Sequence, residues 1–188
     1  MNSIECIRRY EPCCEQEERD KAVILDYLDR NPGCFSRSDL VAHMTASSWV
    51  VNRERTKVLM VYHKIYNSWS WTGGHADGDT DLLAVALREC REETGVEHVR
   101  ALNEEIFSLE VLTVDGHEKR GEYVPSHLHL NVTYLLEADE NDTLHICSEE
   151  NAGVRWFTLD EALKASTEPW FVERIYKKLN EKVKNCCG

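Results

Sequence analysis

Basic residues are in short supply in this chain, with 22 Lys and Arg against 34 Asp and Glu and a net charge of −12 at pH 7. Such a charge repels phosphate backbones and anionic lipid at long range, so binding to bulk nucleic acid is disfavoured. The 4 prolines and 9 glycines are too few for a fibrous or disordered chain. Long apolar runs are missing as well: the longest, Leu82 to Leu87, is far too short to cross a bilayer. The opening residues Met1 to Glu5 lack a basic stretch followed by an apolar one, which leads to the expectation of a cytoplasmic protein with no membrane partner. Cysteine is plentiful, at 8 residues, yet Cys6, Cys13-Cys14, Cys34, Cys90, Cys147 and Cys186-Cys187 form no CxxC and no Cys/His knuckle, so reduced thiols are expected.

What is present suits a folded domain. Hydrophobic residues make up 42% of 188 positions, enough for a real core in one domain with a decorated terminus. The pattern predicts a helical extension over residues 1–45 and a domain over 46–188. Within the extension, Ala22, Val23, Leu25 and Leu28 suggest an amphipathic helix from Glu15 to Asn31, stopped by Asn31-Pro32-Gly33. A short second helix is expected after Ser36, with Leu40, Val41 and Met44 as its apolar residues. Thereafter Ser48 to Val51 and Val58 to Tyr62 flank a polar segment as a β-hairpin would.

Further strands are expected over Ile106 to Val114, His127 to Leu136 and Val154 to Phe157, the last short and buried, with Asp115 to Pro125 as a mobile loop. Thr158 to Glu161 reads as a capping box, and Pro169 to Lys184 as a closing amphipathic helix. The expected class is α/β or α+β: mixed strands around a central helix, with the N-terminal helices added.

That central helix, Asp79 to Glu93, carries the chemistry. At about 100° per residue, Glu92 and Glu93 fall about 60° and 40° to either side of Glu89, so three carboxylates share one stripe. Leu83, Ala86, Leu87 and Cys90 mark the face expected to pack. Crowded like charges are unfavourable on an isolated helix and become sensible around hard divalent cations. The competing reading is a solvated acidic face with Arg88 and Glu92 paired at i, i+4.

A glycine turn upstream and Gly95 downstream decide between them. Gly74, Arg88, Glu89, Glu92, Glu93, Gly95 and Val96 match in register the pattern G-x5-E-x7-R-E-U-x-E-E-x-G-U, where U is aliphatic, and the segment resembles the box of the Nudix hydrolases. One position departs from it: Thr80 stands where the family has glutamate. Asp79 and Asp81 beside it read as caps of the helix rather than metal contacts.

The resemblance implies a Nudix fold, a mixed sheet sandwiched between helices, and metal-dependent hydrolysis of the pyrophosphate in a nucleoside diphosphate linked to another moiety X. It implies that Glu89, Glu92 and Glu93 organise Mg²⁺ or Mn²⁺, that Arg88 orients a carboxylate, and that Glu89 is a candidate base. It also implies a further carboxylate outside the box that completes the metal or base set, for which Glu150, as a metal ligand, is preferred to Glu122, as a base. Gly74, His75, Trp69 and His129 are candidate substrate contacts, although a Trp before such a turn is more often core. His127 and His129 alternate on a strand. With no thiolate or third histidine evident nearby, they read as substrate-facing polar residues or a mutually satisfied pair rather than as metal ligands.

A different reading is a catalytically weak Nudix-fold module that binds a nucleotide or nucleotide sugar; isoprenoid isomerases share the fold but have a His and Cys signature that this chain lacks. The identity of X is not encoded in these motifs. The N-terminal extension is a candidate homodimer surface, or else it covers a sheet.

Overall fold

The computed structural model describes residues 3–119, 121–147 and 151–185. The chain forms two compact units: Met1–Ser47, Gly73–Ala86 and Glu104–Tyr134 in the first, Ser48–Thr72, Leu87–Asn103 and Leu135–Gly188 in the second. Three elements run through both, strand β1 (Ala42–Val51), helix α3 (Leu82–Thr94) and strand β9 (His127–Ala138).

The first unit opens with helices α1 (Ser3–Arg9) and α2 (Glu15–Arg30). Ile24 and Leu28, four residues apart on α2, are buried together with Ile7 of α1. Helix α2 packs on strand β6 (Ser108–Val114), which pairs antiparallel with β9 in a register from Ser108↔Thr133 to Val114↔His127. Two side chains of α2 also reach the backbone of β6. Asp20 Oδ2 accepts from Val111 N–H at 3.1 Å, and Gln16 Nε2 donates to the Leu109 carbonyl at 3.3 Å. Polar groups of that strand edge are thereby satisfied by the helix that covers it.

The expected second helix after Ser36 does not form. Asp39 Oδ1 accepts from the backbone N–H groups of Val41 (3.0 Å) and Ala42 (3.3 Å), a turn in which the side chain replaces the partner a helix would supply. Leu40 and Val41 are exposed, so no apolar face is buried there, and β1 starts at Ala42 with Met44 already inside the core. The segment between β6 and β9, expected to be a mobile loop, holds a small hairpin. Its strands β7 (His117–Lys119) and β8 (Glu122–Val124) pair from His117↔Val124 to Lys119↔Glu122, and Gly121 supplies a φ of +82° in the turn.

In the second unit the expected hairpin is present. Strand β2 (Lys57–His63) pairs antiparallel with β1 through Val50↔Leu59 and Val51↔Val58. Asn52 Oδ1 closes the turn by accepting from Thr56 N–H and Lys57 N–H, both at 2.9 Å. Strand β3 (Ser68–Ser70) also pairs with β2, and β4 (Thr72–His75) with β1. Strand β5 (Val99–Ala101), absent from the sequence expectation, pairs with the end of β9.

Strand β10 (Asn151–Thr158) lies along β2 as a terminal strand of its sheet. The expectation of a fully buried strand needs correction here, because only Asn151 and Phe157 of β10 are buried, as befits an edge. Helix α4 (Leu159–Ala165) begins at the expected capping box, with Thr158 Oγ1 accepting from Glu161 N–H and the Glu161 carboxylate accepting from Thr158 N–H at 3.0 Å. The closing helical segment runs through α5 (Pro169–Phe171), a π-helical turn (Val172–Tyr176) and α6 (Lys177–Asn185). Tyr176 in the π turn stacks on Trp49 at 5.1 Å and meets Trp71 edge-on at 5.7 Å, forming the aromatic centre of this unit's core. No helix among the described residues is long and apolar enough to cross a membrane.

Candidate functional site

Helix α3 is started by side chains and stopped by a glycine. Asp81 Oδ1 accepts from Ala84 N–H at 3.0 Å, Asp79 Oδ1 accepts from Asp81 N–H at 2.9 Å, and Ser3 Oγ accepts from Leu82 N–H at 3.2 Å. The two aspartates are therefore caps, as expected, and Ser3 is a third that sequence spacing did not reveal. At the other end Gly95 adopts a φ of +77°, with its N–H on the Arg91 carbonyl at 2.8 Å.

The packing face differs from the expected one. Leu82, Val85, Ala86 and Cys90 are buried, whereas Leu83 and Leu87 are half-buried, so the inner face is rotated toward the carboxylates. Consequently the three glutamates sit at three depths. Glu92 is exposed, Glu89 keeps 18% of its side chain exposed, and Glu93 is buried at 5%. Arg88 Nη2 stands 3.5 Å from Glu89 Oε1, within reach to orient that carboxylate. Arg91 donates to the Val99 carbonyl at 3.2 Å, fastening the end of α3 to β5.

The donor set suits a hard divalent ion: three carboxylates within about one helical turn, one of them solvent-facing. Cys90 between them is fully buried, and burial pushes its thiol up to about 12. The six described cysteines are all free.

The other candidate residues fall elsewhere. Trp69, half-buried in the second unit, packs edge-on against Phe157 (4.9 Å) and Tyr62 (5.4 Å), a core contact. Gly74 and His75 lie on β4 and His129 on β9, in the first unit. Beside Gly74, a Cβ on Gly73 would stand 2.7 Å from the Ala46 carbonyl, so only glycine permits that approach to β1. Glu122 is exposed on β8, and Glu150 lies outside the described residues.

His75 and His129 are brought together with His127, the strand neighbour of His129, and with His43, which sequence spacing did not connect to them. The ring of His75 lies 5.0 Å from that of His43 and 4.9 Å from that of His129, and His127 lies 4.8 Å from His43. The reading of His127 and His129 as an isolated pair is thus corrected: third and fourth imidazoles stand beside them, from β1 and β4. Burial, reinforced by the neighbouring rings, pushes His129 down to about 2, and burial also lowers His43.

A family model for the NUDIX domain matches residues 42–179. Among known proteins, the chain is 32% identical over 95 residues to a Rattus norvegicus bis(5'-nucleosyl)-tetraphosphatase [asymmetrical], covering 50% of this chain and 58% of that protein. It is 29% identical over 132 residues to a Xenopus laevis nucleoside diphosphate-linked moiety X motif 6, covering 69% and 56%. The chain therefore spans little more than half the length of these relatives. Among solved structures it resembles a C. elegans Ap4A hydrolase in a binary complex, with a TM-score of 0.53 and 19% identity over 77% of this chain and 96% of that one. An E. coli dihydroneopterin triphosphate pyrophosphohydrolase is similar at a TM-score of 0.55 and 13% identity, over 76% and 95%. At these identities the two structures speak for the fold, while the domain match, which covers most of the chain and contains the whole of α3, carries the assignment: the chain belongs to the Nudix family.

Proposed function

We propose that the protein is a pyrophosphohydrolase that cleaves the diphosphate of a nucleoside diphosphate linked to another moiety, using Mg²⁺ or Mn²⁺. The observation carrying this is the arrangement on α3, where Glu89, Glu92 and Glu93 lie within about one turn and Arg88 stands 3.5 Å from Glu89. A divalent ion held by these carboxylates supplies the positive charge that a diphosphate needs as it is cleaved.

The residues divide the remaining work by depth. Exposed Glu92 is the carboxylate most accessible to solvent, and buried Glu93 is fixed by its surroundings. Asn151 Nδ2 donates to the Glu93 carbonyl at 3.5 Å, holding the backbone there. Glu89, half-buried with one oxygen 3.5 Å from the Arg88 guanidinium, is the base that takes a proton from an attacking water. Glu150 belongs to the same proposal as an additional metal carboxylate.

Hydrolysis of a panel of dinucleoside polyphosphates, nucleotide sugars and dinucleotides into two phosphorylated products, each identified by mass, tests the reading. Cleavage that requires Mg²⁺ or Mn²⁺ and is lost in Glu89→Gln is the expected result. Tight binding without cleavage across the panel would overturn it in favour of a binding module.

A further inference from the structure

We infer that His43, His75, His127 and His129 form a binding site for a borderline transition-metal ion of the Zn²⁺ class, separate in chemistry from the carboxylates of α3. One ligand atom from each of the four rings can be chosen so that all lie within 4.8 Å of one another. Tetrahedral Zn²⁺ with Zn–N near 2.05 Å places its nitrogens about 3.3 Å apart, so the cluster is close to ligating geometry and needs only a modest contraction. One pair already stands at that separation, with His127 Nε2 hydrogen-bonded to His129 Nε2 at 3.2 Å.

The tautomers point the same way. His43 Nδ1 lies 3.0 Å from the Asp39 carbonyl and His127 Nδ1 lies 2.9 Å from the Pro125 carbonyl. A carbonyl can only accept, so both Nδ1 atoms carry the hydrogen, which leaves Nε2 of each ring as the nitrogen that can ligate. Backbone carbonyls that fix the far nitrogen are how metal-binding histidines are held in orientation. His43, moreover, is 4% exposed, and its Nε2 is buried without a hydrogen-bond partner. A buried lone pair left unsatisfied is costly, and a cation among the four nitrogens removes that cost, taking the place of the hydrogen bond between His127 and His129.

The ligands come from three strands, β1, β4 and β9, so the ion acts as a clasp within the first unit. Imidazole nitrogen favours Zn²⁺, Co²⁺, Ni²⁺ or Cu²⁺ over the hard Mg²⁺. The proposal does not depend on the hydrolase reading.

Metal-stripped, reduced full-length protein titrated with Co²⁺ and with Zn²⁺ tests it. Cys13, Cys14 and Glu17 also stand close enough to compete for a soft ion, so a Cys13→Ser/Cys14→Ser background is titrated in parallel. The expected result is one equivalent of Co²⁺ giving tetrahedral visible bands without a thiolate charge-transfer band, displaced by Zn²⁺, and at least tenfold weaker binding in His43→Gln and in the more accessible His127→Gln. Glu89→Gln should leave this titration unchanged while removing hydrolysis, which separates the two readings. Binding that is absent at micromolar Zn²⁺, that shows thiolate charge transfer, or that survives undiminished in His127→Gln would overturn the inference.

Discussion

The hydroxyl of Tyr10 donates a 2.7 Å hydrogen bond to Glu17 Oε2, a carboxylate of α2 with no solvent exposure. Cys13 N–H (2.8 Å) and Ser108 Oγ (2.9 Å) also serve that carboxylate, so a buried polar group of the first unit depends on accurately placed donors. Tyr10→Phe should destabilise the protein by about 1–3 kcal/mol, read as a lower denaturant midpoint, because it leaves an acceptor short of a partner. The pH dependence gives an independent check. Burial first, then Glu17, raises the Tyr10 phenol above the ordinary tyrosine range, so the folded state holds a proton that the unfolded chain releases near pH 10. Stability from this group is complete below about pH 10 and declines above it, and the Phe variant should show a shallower alkaline decline.

On α3, Glu92→Gln and Glu93→Gln should each reduce turnover by orders of magnitude at saturating Mg²⁺. Because Glu92 is exposed, its substitution should leave the thermal midpoint of the metal-free protein unchanged or slightly raised, as one of three neighbouring negative charges is removed. Near-parental substrate cleavage by either variant would remove that residue from the metal-holding set.

Thr80 occupies the position of the box where glutamate is usual, and its side chain is exposed while its carbonyl accepts from Ser3 Oγ at 2.5 Å. A glutamate there has room and disturbs neither the cap nor the backbone. Thr80→Glu should change activity by less than about tenfold, roughly 1.4 kcal/mol in the barrier. A larger gain would mean that the chain has lost part of the family's catalytic apparatus.

Gly95 combines two demands, a φ of +77° and a close approach in which a Cβ would stand 2.8 Å from His145 Cβ and Cδ2. Gly95→Ala should therefore cost about 1–3 kcal/mol or more. Asparagine tolerates positive φ but brings the same Cβ, so Gly95→Asn should recover little of the loss. Full recovery by Asn in a denaturation series would show that backbone conformation, not the His145 contact, sets the requirement.

The exposed pair His98 and Asp142, 2.8 Å apart, gives a pH signature in the second unit. The hydrogen bond to Asp142 raises the His98 pKa, and the hydrogen bond from His98 lowers that of Asp142. The pair's contribution is present between about pH 4 and pH 6.5, lost at lower pH as Asp142 is protonated and at higher pH as His98 is deprotonated. In an NMR titration, His98 should titrate above the ordinary histidine value, and Asp142→Asn should bring it down.

Sequence alone determined the features whose causes lie within a few residues of one another. The spacing of Arg88, Glu89, Glu92, Glu93 and Gly95, the hairpin closed by Asn52, and the capping box of Thr158 and Glu161 follow from local geometry and local hydrogen bonds. Tertiary structure decided what depends on partners distant along the chain. The segment after Ser36 has the pattern of a short helix, yet Asp39 caps a turn and Ala42 enters a strand, because sheet pairing outweighs a weak local preference. The depths of Glu89, Glu92 and Glu93 depend on which neighbours cover α3, and helical periodicity carries no such information. His43 and His75 join His127 and His129 only because β1, β4 and β9 come together in one register, a long-range pairing that no spacing along the sequence records.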